Sequence, residues 1–426
     1  MRLPRPRFTP DWLFTYTGVM LLLGVAVNWG AGFTQFAHSL TLPSMEMDLG
    51  LSHTKAGLVI TVANLVRICS TFTAGTLAPR YGSRFIIGVG TVAAGSSMVM
   101  LGFSQTYLLV LLSSACMGIG TGMALAPMMG LLSRFFRARD RGLAAGLASI
   151  GGSFAFIFAG VLVPWLVGKD ADEGWRNSWF VFGSLAIGIG IASLIFLKER
   201  PNSAQTSPLA EGEVVTEQAR SPSLGAWPMA AYKNPMIWLA TFLAFNSGWS
   251  QGLFNAFFGV YLSQENGISL GTVGQLVVVI GVISISSGTF WGTLSDRVSR
   301  GQAFFYSYVL QAIAFALMAL FPGIVSFIIA AILIGFTLRA AYTICAACSG
   351  DYVAVQFAPA AFGLMSVGAG LGNALSPTVG GLIADNFGTN WSFGLAMIGA
   401  FVGMAASVVM IKKPSSREPA LPVPST

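Results

Sequence analysis

Charge is what this chain has least of. Of its 426 residues only 9% are Asp, Glu, Lys or Arg, against about 25% in an ordinary soluble domain. A chain so poor in charge cannot clothe a water-exposed surface, so lipid must be the solvent for most of it. Histidines number two and cysteines four. The cysteines (Cys69, Cys116, Cys345 and Cys348) all lie inside apolar stretches. Cys345 and Cys348 form a CxxC, but they sit in ILIGFTLRAAYTICAACSG, a helical pattern in lipid. That context reads as buried small side chains rather than a redox pair or metal site. No GxxxxGK[ST] loop occurs, which argues against an ATP-driven pump. No nucleophile–base pair or ligand cluster is visible, so neither catalysis nor a cofactor or metal is expected.

What is abundant is apolar length and glycine. Hydrophobic residues make up 54% of the chain, mean hydropathy is +0.72, and there are 51 glycines. Glycine weakens soluble helices, but in lipid it lets helices approach closely. A crossing helix needs about 20 apolar residues. Stretches of that kind run at 13–42, 56–78, 85–103, 107–133, 142–168 and 176–197, and again at 236–262, 271–294, 303–321, 324–350, 359–384 and 390–411. The expected fold is therefore an all-α membrane protein of twelve transmembrane helices. Its expected organisation is a six-helix bundle over 1–197, a cytoplasmic linker over 198–235 and a second six-helix bundle over 236–426 with a short tail. The linker carries Pro201, Pro208, Pro222 and the run EGEVVTEQAR, which reads as flexible. The basic start, MRLPRPRF, leads straight into an apolar run and reads as the flank of an uncleaved first span.

Lysine and arginine placement sets the orientation. With both termini in the cytoplasm, 18 of the 23 basic residues fall on the inner side and 3 on the outer; the other two, Arg67 and Arg339, fall inside spans. One missed helix would scatter basic loops to both sides. The same bias accounts for the net charge of +7 without nucleic acid. An integral protein of the cytoplasmic (plasma or inner) membrane, embedded as a monomer in the lipid bilayer, is expected.

The halves repeat at an offset of 217. GTLAPR (Gly75 to Arg80) falls on GTLSDR (Gly292 to Arg297), Gly118 on Gly335, Gly151 on Gly368 and His38 on Asn255. On these motifs the sequence resembles the major facilitator superfamily over nearly its whole length. The superfamily's loop signature GxLxDRxGR(K/R) appears as GTLAPRYGSR and GTLSDRVSRG; the second copy keeps Asp296 and Arg297, while Pro79 replaces the acid in the first. GWRNSWFVFG and GNALSPTVGGLIAD look like its entries to the sixth and eleventh helices. The resemblance implies a secondary active or facilitative transporter whose two bundles rock to give alternating access. It also implies gating by inner-end charges, here Asp296 and Arg297 with Arg80 and Arg84. NWGAGFTQF and RARDRGLAAGLASIGG are similar to monocarboxylate and oxalate–formate type carriers. Those carriers place cations in helices 8 or 11, where this chain has Ser284 and Asn373.

Ionisable residues inside the membrane mark function by default. Arg67 lies near the centre of the second span and Arg339 near the centre of the tenth, with no Asp or Glu at comparable depth. An arginine fork matches a carboxylate, so the expected partner is a small organic anion, most simply a monocarboxylate. The resemblance favours Arg339, because helices 1, 4, 7 and 10 line the cavity in that superfamily. Gln35 and His38 share a face of span 1, Tyr342 follows Arg339 by three, and Trp249 and Asn255 lie in span 7. These complete the expected substrate-binding set. His38, the one histidine at membrane depth, is a candidate carrier of a coupling proton; a counter-anion is the alternative. A drug or metabolite exporter of the same fold, or a non-transporting membrane receptor, are the competing readings.

Overall fold

Apolar stretches this long can satisfy their backbone polar groups in lipid only as helices, and helices are what form. The computed structural model describes residues 16–136, 141–170, 173–199, 232–353 and 357–412. The linker expected at 198–235, except its ends, and both terminal tails lie outside the described residues. The first six spans are α1 (Tyr16–Leu49), α2 (His53–Tyr81), α3 (Ser83–Gly102), α4 (Tyr107–Phe135), α5 (Arg141–Lys169) and α6 (Gly174–Phe196). The next three are α7 (Pro235–Val260), closed by a π turn at Tyr261–Glu265, α8 (Leu270–Arg297) and α9 (Arg300–Leu320). The tenth span is split into α10 (Ile324–Thr337) and α11 (Ala340–Asp351). The last two are α12 (Ala358–Phe387) and α13 (Thr389–Lys412). The fold is all-α, with twelve spans in two pseudo-symmetric bundles of six.

Local chemistry sets several helix starts. Asn234 caps α7 through Met236 N with Pro235 at its first turn, and Ser299 makes a reciprocal capping box with Gln302 at the start of α9, each satisfying backbone donors that the first turn leaves open. Among the described residues ten helical spans are apolar and long enough to cross a membrane. The two left over are α7 and α12. Their Asn, Gln, Ser and Gly content lowers their hydropathy, and they face each other. A Cβ on Gly372 of α12 would lie 2.1 Å from the Phe245 carbonyl of α7, so the backbones touch there.

By packing, Met1–Ser44 and Leu65–Ser221 form one unit, and Met45–Asn64 and Pro222–Thr426 another. The tip of the α1–α2 hairpin thus packs with the second unit. Within each unit the duplication recurs as contacts. In the first, Gly151 of α5 meets the Val25 carbonyl of α1; in the second, Gly368 of α12 meets the Thr241 carbonyl of α7. About one helical turn off that register, Gly122 of α4 meets the Arg67 carbonyl of α2, and Gly335 of α10 meets the Ile280 carbonyl of α8. Small residues are placed where van der Waals packing, not hydrophobic exclusion, must hold helices together.

Candidate functional site

In the first unit, Arg67 sits in an unbroken stretch of α2. Gly122 brings α4 against its carbonyl, and Ser70 Oγ, one turn on, donates to the Ile119 carbonyl at 2.7 Å. Gln35 of α1 faces its guanidinium. With the amide oriented to satisfy both partners, Gln35 Oε1 accepts from Arg67 Nη1 at 3.0 Å and Nη2 at 3.3 Å. The structure brings these two expected residues together.

His38, also on α1, points elsewhere. It is buried, its Nδ1 is 2.9 Å from the Thr34 carbonyl, and its ring meets Trp179 edge-on at 4.8 Å. A carbonyl can only accept, so Nδ1 carries the proton in this contact. Trp29 packs edge-on against Phe33 and Phe158, both at 5.2 Å, and Phe33 stacks on Phe182 at 4.7 Å. These aromatics tie α1, α5 and α6 together.

In the second unit, Arg339 stands at the break between α10 and α11, with φ −105° and ψ 1°. A break inside lipid frees backbone groups that must find partners. Here they do. The Phe336 carbonyl accepts from Ser287 Oγ at 2.6 Å and from Trp291 Nε1 at 2.8 Å. The Leu338 carbonyl accepts from Gln251 Nε2 at 3.3 Å, and Arg339 N–H donates to Ser287 Oγ at 3.3 Å. Thr343 Oγ1 donates to the Arg339 carbonyl at 3.0 Å. The Arg339 stem lies against Gly288 of α8. A water-sized cavity of about 20 Å³ opens behind the break, where Ser247, Gln251, Gln311 and Thr337 supply polar groups.

The remaining expected contacts are dispersed. Tyr342 is in electrostatic contact with Arg339, packs edge-on against Phe362 at 5.1 Å and is exposed. Asn255 is buried, with no hydrogen bond to its Oδ1. Trp249 is wedged between α12 at Gly372 and α13 at Gly399, which suits it to packing.

At the helix ends that carry the two GTLxxR motifs, Arg80 and Arg297 are exposed. Asp296 Oδ1 accepts from Arg300 Nη1 at 2.8 Å, and Arg300 Nε donates to Asp351 Oδ2 at 2.6 Å. The buried Arg300, outside the expected gating set, is the hub that joins α8, α9 and α11. In the first unit Pro79 replaces the acid and another arrangement holds the corner. Arg84 N donates to Glu199 Oε1 at 2.6 Å and Arg84 Nε to the Leu194 carbonyl at 2.5 Å. Gly82, at φ 90°, turns the chain beneath Glu199, a conformation that favours glycine.

No Pro or Gly at Leu338 or Arg339 marks the helix break in the sequence. Its signal lay in neighbouring helices, in Ser287, Trp291 and Gln251.

Known proteins resemble this chain in sequence and in fold. A probable sulfoacetate transporter of Cupriavidus necator is 23% identical over 388 residues, covering 88% of this chain and 89% of that one. An oxalate:formate antiporter of Oxalobacter formigenes is 22% identical over 417 residues, covering 94% and 92%. Among solved structures, a bacterial homologue of the human lysosomal transporter Spinster, inward-facing and occupied, matches in fold with a TM-score of 0.75 at 15% identity, covering 94% of this chain and 99% of that one. The family profile described as Major Facilitator Superfamily matches residues 21–251 and 237–425. The chain is an integral membrane protein that belongs to the major facilitator superfamily.

Proposed function

We propose that the protein transports a small organic anion by alternating access, with Arg339 as the principal anchor for the anionic group. The observation that carries this reading is an arginine at mid-span, set at a helix break whose freed carbonyls are already satisfied by Ser287, Trp291 and Gln251. The planar guanidinium fork suits a carboxylate or sulfonate. Broken helices are where superfamilies of this kind of architecture bind solutes.

Arg67, held by Gln35, is a second cation for the same class of solute. Tyr342, beside Arg339, is proposed as an aromatic neighbour of the bound anion, and Asp296, Arg297, Arg80 and Arg84 as gating residues. The acidic residues of the chain lie at helix ends, in loops and in the tails, so mid-span charge is positive, as an anion carrier needs. The two similar transporters are named for sulfoacetate, oxalate and formate, all of which carry a carboxylate. A monocarboxylate is the narrowest form of this reading. The orientation read from the basic residues places both termini in the cytoplasm, with the protein in the plasma membrane.

The test is uptake by proteoliposomes of radiolabelled formate, oxalate and sulfoacetate against an organic cation. Wild type should take up at least one anion and Arg339→Ala should abolish it. Cation uptake, or anion uptake indifferent to Arg339→Ala, would overturn the assignment.

A further inference from the structure

Four helix ends of the second unit meet on the side termed outer from the Lys and Arg bias. They are the end of α1, the start of α2, the π turn after α7 and the end of α12. Asp385 at the end of α12 caps α2 from outside it: its carboxylate accepts from His53 N at 2.9 Å, from Thr54 N at 3.0 Å and from Thr54 Oγ1. A carboxylate at a helix N-terminus satisfies open N–H groups and meets the positive end of the dipole. Below this cap α2 is closed tightly on α12. A Cβ on Gly57 would lie 2.2 Å from the Pro377 carbonyl, one on Gly381 would lie 2.4 Å from the His53 carbonyl, and Thr378 Oγ1 donates to Thr61 Oγ1 at 2.7 Å.

Behind this latch is a carboxyl where none is cheap. The Glu46 side chain is only 4% exposed. Its Oε1 is 3.0 Å from His53 Nδ1, while its Oε2 is buried without a hydrogen bond. Gln264 faces the same carboxyl from the π turn. The His53 ring faces three carboxylates, Glu46 from α1, Asp385 from α12 and Glu265 from the π turn, and Phe257 covers one of its sides at 6.4 Å. Asp48 and Lys55 of the same hairpin are exposed.

We propose that Glu46 and His53 form a proton-binding site, holding one proton between Oε1 and Nδ1 while α2 is latched on α12. If one proton leaves the pair to the outer solution, Glu46 stays ionised and His53 becomes a neutral imidazole, so the buried carboxylate loses the positive charge that His53 supplied. An unanswered buried charge is costly, so the hairpin leaves α12 to hydrate it. Proton uptake and closure of the outer latch are thus linked, and each favours the other. Proton binding from outside then closes the outer side, the sense a proton-driven importer requires. As a coupling site this rests on the transporter reading above; as a latch it does not.

The experiment needs no solute. In a background with the four native cysteines replaced, Ala56→Cys, buried on α2 beside the latch, reports opening through its rate of reaction with a membrane-impermeant maleimide. Between about pH 6 and about pH 8.5, which brackets imidazole titration, the labelling rate should rise about threefold or more. Glu46→Gln and His53→Asn should each flatten that rise, with folding checked by tryptophan-fluorescence melting. A pH-independent rate with the pair intact, or an undiminished rise in either folded variant, would overturn the proposal. Because no transported solute is present, failure of the anion reading and failure of the proton site are read separately. Anion uptake by a folded Glu46→Gln variant that still follows an imposed pH gradient would remove the coupling role alone.

Discussion

Two arginines, one in each unit, are held in opposite ways. Arg67 belongs to an unbroken helix whose backbone is pinned by a glycine from α4, and its guanidinium is steered by one amide, Gln35. Arg339 stands where the helix stops, with its neighbours' carbonyls carried by side chains of α7 and α8. Gly335 packs α10 on α8 just before the break, but at the break itself the backbone is held by side-chain hydrogen bonds, which can be exchanged. We propose that the first position is a fixed cation and the second one that shifts with its helix. That difference favours Arg339 as the residue that follows a solute through the transport cycle.

Removing the Arg339 guanidinium tests this most severely. Arg339→Ala should cut anion uptake about 100-fold or more, and Arg339→Lys should restore only part, since a point charge lacks the bidentate fork. Equal losses from Arg67→Ala and Arg339→Ala would erase the distinction drawn above.

Backbone packing is the next effect. A Cβ on Gly122 would lie 2.5 Å from the Arg67 carbonyl, whereas one on Gly288, beside Arg339, would meet nothing closer than 3.5 Å. Gly122→Ala should therefore destabilise by about 2 kcal/mol in thermal melting, and Gly288→Ala by less than about 0.5 kcal/mol. Similar melting shifts for the two would show that the arginine sites are equally rigid.

Smaller effects come from single hydrogen bonds. Trp291→Phe removes one donor from the Phe336 carbonyl but leaves Ser287 in place, so stability should fall by about 1 kcal/mol. Uptake should change by more than that loss of folded protein explains if the break moves during transport. Gln35→Ala should raise the KM for the anion about fivefold, equivalent to about 1 kcal/mol, with little change in maximal rate.

The fold was legible because lipid imposes so few solutions. Twelve apolar stretches, the 217-residue offset and the GTLxxR pair sufficed for twelve spans in two bundles, and Gly151 and Gly368, paired by that offset, do meet α1 and α7 as duplication demands. The sites were legible only in part. Arg67, Gln35 and Arg339 stand out because charge and amides are rare in lipid. The break at Arg339 did not, because a helix is broken by its neighbours as much as by its own residues. Nothing in the sequence singled out Glu46: its position gives its height in the span, but its burial depends on groups brought to it by the π turn after α7 and the start of α2. Arg300 was hidden likewise, since its ties to Asp296 and Asp351 join three helices that are apart in sequence.

The most direct test of the central claim is equilibrium binding to purified protein in detergent or nanodiscs, measured by calorimetry with oxalate, sulfoacetate and an organic cation of similar size. Binding of an anion to wild type that Arg339→Gln abolishes, with no binding of the cation, is the result predicted here. Binding of the cation, or anion binding to Arg339→Gln as tight as to wild type, would contradict it.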